Sequence, residues 1–278
     1  MSDARPKVAV FATGGTMASP AEPGVGSIPR LTAEDLVATV PDLADISAIS
    51  FRQVPSFELT VPDLVDLVEN IGRQVSAGAT GAVVVQGSDC LEEIAFLLDL
   101  LWDGDQPIVV TGAMRNDEIH AARFVHKTHT SSTATFRSTP TGPIGWVSEG
   151  NVRLAVRPIG RHHVWPDHAL APSVALLKVG FGDDGRLLSS IAEGGYSGLV
   201  VEALGGGHVP RTMVEPLEQL AARMPVVLAS RTGSGEVLTR TYGFPGSASS
   251  EQVAEAFLKV GTPGNGDFLL GKPSWKRS

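Results

Sequence analysis

Cysteine is nearly absent: Cys90 stands alone among 278 residues, which excludes an intramolecular disulfide framework and any metal site built on cysteine pairs, and suits a reducing, cytoplasmic compartment. Long apolar runs are absent too. No hydrophobic stretch approaches the roughly 20 residues that a membrane-spanning helix requires, so no membrane partner is expected. The short run Val8 to Ala12 passes straight into Thr13-Gly14-Gly15 without a small-residue cleavage pattern, and it reads as a first core strand rather than a leader. Basic residues are in deficit. Lys and Arg number 22 against 30 Asp and Glu, a formal charge of −8, the wrong sign for displacing counterions from nucleic acid. Internal repeats and low-complexity tracts are lacking as well. What remains is a chain that is 42% hydrophobic with 31 Gly and 19 Pro, enough apolar material for one large globular domain or two smaller ones.

Unalternating Val-rich runs recur at Val8 to Phe11, Ala82 to Val85, Ile108 to Val110, Leu199 to Val201 and Val226 to Leu228. Such runs suit strands buried on both faces of a parallel sheet. Between them lie helical patterns. In Leu91 to Trp102 the residues Leu91, Ile94, Ala95, Leu98, Leu101 and Trp102 share one stripe. Val61 to Val75 and Leu31 to Val40 predict two more helices, the latter capped by Thr32 ahead of Glu34 and Asp35. The rhythm breaks at Ile144 to Val147 and Val152 to Val156, which predict a hairpin turning through Ser148-Glu149-Gly150-Asn151. The expected fold is α/β: a parallel-sheet N-terminal domain with flanking helices over residues 1–157, a Pro-, His- and Gly-bearing linker over 158–172, and a smaller α/β domain over 173–278. In the latter, Ala175 to Val179 and Val214 to Ala222 predict a further strand and helix, and the last residues, from Gly261, show no regular pattern.

Two strand-to-loop junctions carry hydroxyls to the place where α/β proteins gather their chemistry. In Thr13-Gly14-Gly15-Thr16 the glycines let the backbone turn sharply, presenting Thr16 as a candidate nucleophile. A glycine turn with capping hydroxyls is the plainer reading, and a dinucleotide loop is disfavoured because Gly-x-Gly-x-x-Gly is absent. In Gln86-Gly87-Ser88-Asp89-Cys90 the hydroxyl and carboxylate stand at a helix start, where either is also a common cap. A hydroxyl needs a partner to accept its proton. Lys127, in Phe124-Val125-His126-Lys127-Thr128-His129-Thr130, offers an amine among apolar and hydroxyl side chains whose pKa burial would lower; a solvated surface lysine is the alternative.

Taken in order, Thr13 to Thr16, Gly87-Ser88-Asp89 with Glu92-Glu93, Gly112-Ala113-Met114-Arg115, and His126 to Thr130 closely resemble the bacterial L-asparaginase family. Pro55-Ser56-Phe57-Glu58, Thr135-Phe136-Arg137-Ser138, Gly142-Pro143-Ile144-Gly145 and Gly235-Glu236-Val237 with Tyr242-Gly243-Phe244 extend the resemblance over most of residues 6 to 246. It implies hydrolysis of L-asparagine, or L-glutamine, to the acid and ammonia through a threonine acyl-enzyme, with no metal or organic cofactor. Thr16 would attack the side-chain carbonyl, and Ser88, Asp89 and Lys127 would move protons. Ser56 and Asp89 would hold the substrate's α-carboxylate and α-amine beside Ala113, and Glu236 would reach that amine from a neighbouring subunit of a homodimer or homotetramer. A non-catalytic binder of asparagine or aspartate is the alternative reading.

Several positions depart from the family. Gly-Thr-Asp-Thr is here Gly87-Ser88-Asp89-Cys90, and the loop from Ala18 to Arg30 holds no Tyr. Only Asn116 to Val125 separate Arg115 from the lysine motif, where the family has another βα unit, and the chain after Ser247 is shortened as well. Other residues read more plainly. His126 with His129, and His162, His163 and His168, lack a helical metal-site spacing. Glu92 and Glu93 read as helix-stabilising acids, and Cys90 as a threonine-like filler where a helix start would favour a thiolate.

Overall fold

A computed structural model describes residues 5–14, 21–22, 26–27, 31–38, 44–112, 117–158, 163–164, 173–247 and 258–259. The chain divides into two compact units, residues 1–167 and 168–278. The division falls within the stretch read as a linker, most of which lies outside the described residues.

The first unit begins with strand β1 (Lys7–Ala12), a short antiparallel pair β2 (Ala21–Glu22) and β3 (Gly26–Ser27), helix α1 (Ala33–Val37) and strand β4 (Asp45–Ser50). Helix α2 (Val61–Ser76), strand β5 (Gly81–Val85), helix α3 (Leu91–Leu101) and strand β6 (Ile108–Thr111) follow. The sheet runs β4-β1-β5-β6 and is parallel throughout. Register places Ala9 beside Ala82 and Phe11 beside Val84, and this face buries against Leu64, Leu67 and Ile71 of α2 and Ile94 and Leu98 of α3. The apolar stripes of the two helices are therefore what fix them to the sheet.

Caps set the helix starts. Thr60 accepts the N–H of Asp63 while the Asp63 carboxylate takes the backbone N–H of Thr60 at 2.9 Å, a capping box that holds the Asp63 carboxyl below its ordinary range. Thr32 and Asp35 form the same box, as the sequence predicts. Helix α1 runs to Val37 with Ala38 as its C-cap; the expected continuation to Val40 lies outside the described residues. Trp102 leaves α3 with extended backbone, its indole N–H donating to the Gln106 carbonyl at 2.8 Å.

Beyond β6 the chain forms β7 (Glu118–Ile119), an antiparallel pair β8 (Val125–Lys127) and β9 (Phe136–Ser138), and the hairpin β10 (Gly145–Ser148) and β11 (Asn151–Leu154), with β7 pairing β10. Glu149 and Gly150 both have positive φ, 50° and 75°, the two-residue turn that matches strand twist. After β7, His120 is buried to 8% exposure, with Nδ1 2.9 Å from Ser138 Oγ and Nε2 facing Glu118 at 3.5 Å. Burial outweighs that carboxylate and pushes the imidazole pKa below its ordinary 6.5. The unfolded chain then binds more protons, so stability is complete above about pH 6.5 and falls as pH drops toward the folded value. Melting temperature is expected to decline as pH falls below about 6.5, and His120→Asn is expected to flatten that decline; identical profiles would remove His120 as its source.

The second unit carries β12 (Val174–Lys178), helix α4 (Leu187–Glu193), β13 (Gly198–Ala203), helix α5 (Val214–Ala221), β14 (Val226–Ser230) and β15 (Leu258–Lys259). Its sheet, β12-β13-β14-β15, is again parallel. Leu177, Val201 and Leu228 align across it and pack on Leu188, Met213 and Leu217.

Candidate active site

At the turn from β5 into α3, Gly87 packs closely on Ser56. A Cβ there would lie 3.0 Å from Ser56 Oγ, so the missing side chain lets the Ser56–Glu58 helical turn close onto the junction. Ser56 is buried at 4% exposure, and its Oγ accepts the N–H of Cys90 at 3.3 Å. Ser88 is buried as well. Against it lies Lys127: Nζ donates to Ser88 Oγ at 3.0 Å and to Asp89 Oδ1 at 2.5 Å. The lysine side chain is 13% exposed and the Asp89 side chain 64%, so the amine is sunk against the hydroxyl while the carboxylate opens to solvent. Lys127 thus meets both Ser88 and Asp89, the two residues that the resemblance groups with it. Asp89, Lys127, Thr128, His129 and Thr130 line an open cleft of about 350 Å³. A second cleft of about 380 Å³, lined by Val174, Leu176, Leu187, Ser190, Ile191 and Tyr196 among others, holds no comparable hydroxyl–amine pair.

At the other junction, Thr13 is buried, and its N–H and Oγ1 both donate to the Val85 carbonyl, at 2.9 and 3.2 Å, tying the end of β1 to the end of β5. Gly14 has φ of +110°, and an added Cβ would stand 2.5 Å from the Val54 carbonyl oxygen. Only glycine fits. Gly14→Ala is expected to lower stability by about 1–3 kcal/mol and activity on the order of a hundredfold, because the segment leading to Thr16 must shift. A melt and an activity assay that both match wild type would show that the segment tolerates the change. Thr16 itself lies outside the described residues, as do Ala113, Met114 and Arg115.

Sequence reasoning missed one contributor. Glu92, assigned only to helix stabilisation, accepts the backbone N–H of Lys127 through its carboxylate, and His126 Nδ1 stands 3.8 Å from the same oxygen. The available signal was Glu92's place in the first turn of the helix that begins beside Ser88 and Asp89. Cys90 also differs from expectation. Burial first, and then Glu93, Asp89 and Glu92, push its thiol pKa up, Ser56 opposing them, so the helix start does not favour a thiolate. His129 Nδ1 accepts the N–H groups of Ser131 and Ser132 at 3.0 and 2.9 Å, capping a turn. Among the described residues no group of three His, Cys, Asp or Glu is placed to hold a metal ion, and no helix is long and apolar enough to cross a membrane. His162 and His168 lie outside the described residues. Glu236 sits in the second unit, exposed, in the segment after β14. Nearby in sequence, Tyr242 and Phe244 pack on His208 with ring centroids 4.9 and 5.1 Å apart.

A hydroxyl, a carboxylate and an amine thus gather at the carboxyl end of a parallel-sheet strand, the place where α/β proteins hold their chemistry. The chain belongs to the asparaginase family: residues 7–116 and 115–160 match the family described as Asparaginase, N-terminal, and residues 173–261 match the Glutaminase/Asparaginase C-terminal domain. It is 29% identical to an L-asparaginase of Bacillus licheniformis over 87% of each chain. It is 28% identical to a glutamyl-tRNA(Gln) amidotransferase chain of Methanosarcina mazei, over 85% of this chain and 67% of that one. The crystal structure of a probable cytoplasmic L-asparaginase from Campylobacter jejuni superposes with a TM-score of 0.82 at 25% identity, covering 93% of this chain and 91% of the other.

Proposed function

We propose that this protein is an L-asparaginase, hydrolysing L-asparagine to L-aspartate and ammonia, and that residues 1–157 form its catalytic domain. The observation that carries the reading is the contact of Lys127 Nζ with both Ser88 Oγ and Asp89 Oδ1. In the proposed cycle Thr16 Oγ attacks the side-chain amide carbon and its proton passes through the Ser88–Lys127–Asp89 cluster to the leaving nitrogen. Ammonia departs, leaving an ester on Thr16. Water, giving up a proton to the same cluster, attacks that ester, and the threonine hydroxyl is restored as L-aspartate leaves. Ser56, Ser88 and Asp89 hold the α-carboxylate and α-amine beside Ala113, with Glu236 contributed by a neighbouring subunit of a homodimer or homotetramer in the cytoplasm. No metal or organic cofactor takes part in this cycle.

Ammonia release from purified protein given L-asparagine or L-glutamine tests the reading and ranks the two amides. The short spacing between Arg115 and Lys127 favours one second reading, a non-catalytic binder of asparagine or aspartate with a regulatory role. It predicts thermal stabilisation by ligand with no turnover, whereas turnover of either amide removes it.

A further inference from the structure

Strand β8 carries the lysine, yet it belongs to a two-stranded ladder with β9 and not to the parallel sheet. The sheet hydrogen bonds that hold Ser88 and Asp89 therefore do not themselves fix the distance to Lys127. In an antiparallel pair, successive N–H groups point alternately toward and away from the partner strand. Thr128 N–H donates to the Thr135 carbonyl at 2.8 Å, so the N–H of its neighbour Lys127 points outward. That outward donor is the one the Glu92 carboxylate accepts. Glu92 stands in the first turn of α3, directly downstream of Ser88 and Asp89, on a helix whose own start is held by Cys90 N–H on Ser56.

We propose that Glu92 is a positioning residue for the reaction, fixing the backbone of Lys127 so that its Nζ meets Ser88; this rests on the amidohydrolase reading above. Two other ties join this region to α3. Leu91, Val125 and Phe136 form a small apolar cluster, and Arg123 pairs with Asp99 at 3.0 Å. Apolar contact is non-directional and leaves strand register loose, and the Arg123 pair sits at the far end of the segment. A carboxylate on a backbone N–H is a directional, charge-assisted bond at the lysine itself. His126 Nδ1 stands 3.8 Å from the same carboxylate oxygen, outside hydrogen-bond reach, so the directional contact of Glu92 with this strand is the one at Lys127.

The test compares Glu92→Ala with Glu92→Gln. Glutamine keeps an acceptor oxygen for the Lys127 N–H, and alanine does not. In Glu92→Ala, kcat is expected to fall about tenfold to a hundredfold with KM within about twofold, because the amine is displaced while Ser56 and Asp89 stay in place. In Glu92→Gln, kcat is expected to stay within about threefold of wild type. Lysine-selective nitrogen-15 labelling supplies a readout independent of turnover: the Lys127 amide proton is expected far downfield in wild type and Glu92→Gln, and shifted upfield in Glu92→Ala. Unchanged kcat in Glu92→Ala, equal impairment of both variants, or an unmoved Lys127 amide resonance overturns the assignment. Should the wild-type protein release no ammonia, the amidohydrolase reading fails by itself, and the amide resonance alone decides whether Glu92 holds the lysine strand.

Discussion

Replacing Lys127 by methionine is expected to lower ammonia release by about a thousandfold or more while leaving the melting temperature nearly unchanged. Methionine keeps an apolar stem of similar reach and removes only the amine. The charge left behind is carried by Asp89, whose side chain is 64% exposed, and an ion pair with one partner so open to water contributes little to stability. Ser88 is different. Its Oγ is buried at the end of β5 and receives a hydrogen bond from Lys127 Nζ, and without that amine no proton can pass between the hydroxyl and the carboxylate. The two measurements therefore separate the lysine's chemistry from its packing. Activity within about tenfold of wild type would take Lys127 out of proton transfer, and a collapse in melting temperature would make its role one of stability.

Thr16→Ala is expected to abolish turnover, by at least about a thousandfold, and to leave ligand binding intact. The proposed cycle needs a hydroxyl that forms and then releases an ester. Removing it stops the cycle before the first bond changes, with the α-carboxylate and α-amine contacts at Ser56 and Asp89 untouched. L-Aspartate is then expected to raise the melting temperatures of the variant and of wild type alike. A variant that keeps turnover, in a protein where Ser88→Ala loses it, would move the nucleophile to Ser88.

Much of this architecture is legible in the sequence, for reasons that differ between elements. The Val-rich run Ala82 to Val85 reads correctly because a central parallel strand must be apolar on both faces. Helices α2 and α3 read correctly because their stripes repeat over several turns. Strand β4 goes unannounced: Asp45–Ser50 is an edge strand whose small and polar residues dilute the signal. Helix α4 does too, with seven residues and no capping side-chain bond. In the site, Ser88, Asp89 and Lys127 are singled out by the order of their motifs and the family resemblance, since each alone reads as a cap or a surface lysine, and the structure brings those three together. Glu92 does not stand out. Its partner is a backbone N–H 35 residues away, and a sequence carries no mark of which main-chain donors a fold leaves pointing outward. Its position, N-terminal in a helix, already has a sufficient explanation in the helix dipole, which hides the second use.

Because β8 pairs with β9 and not with the parallel sheet, and Val125 packs in a small cluster with Leu91 and Phe136 that meets the main core through Val110, the lysine strand belongs to a smaller cooperative unit than Ser88. Such a unit opens with a free energy below that of global unfolding. On warming, Lys127 would leave Ser88 while the parallel sheet and helices α2 and α3 were still intact. Under the proposed activity, the upper temperature limit of turnover is then set by the docking of one short hairpin and not by the melting of the fold. Stabilising the large hydrophobic core would make the protein last longer without letting it work hotter, whereas one added contact between α3 and β8 would raise both limits together.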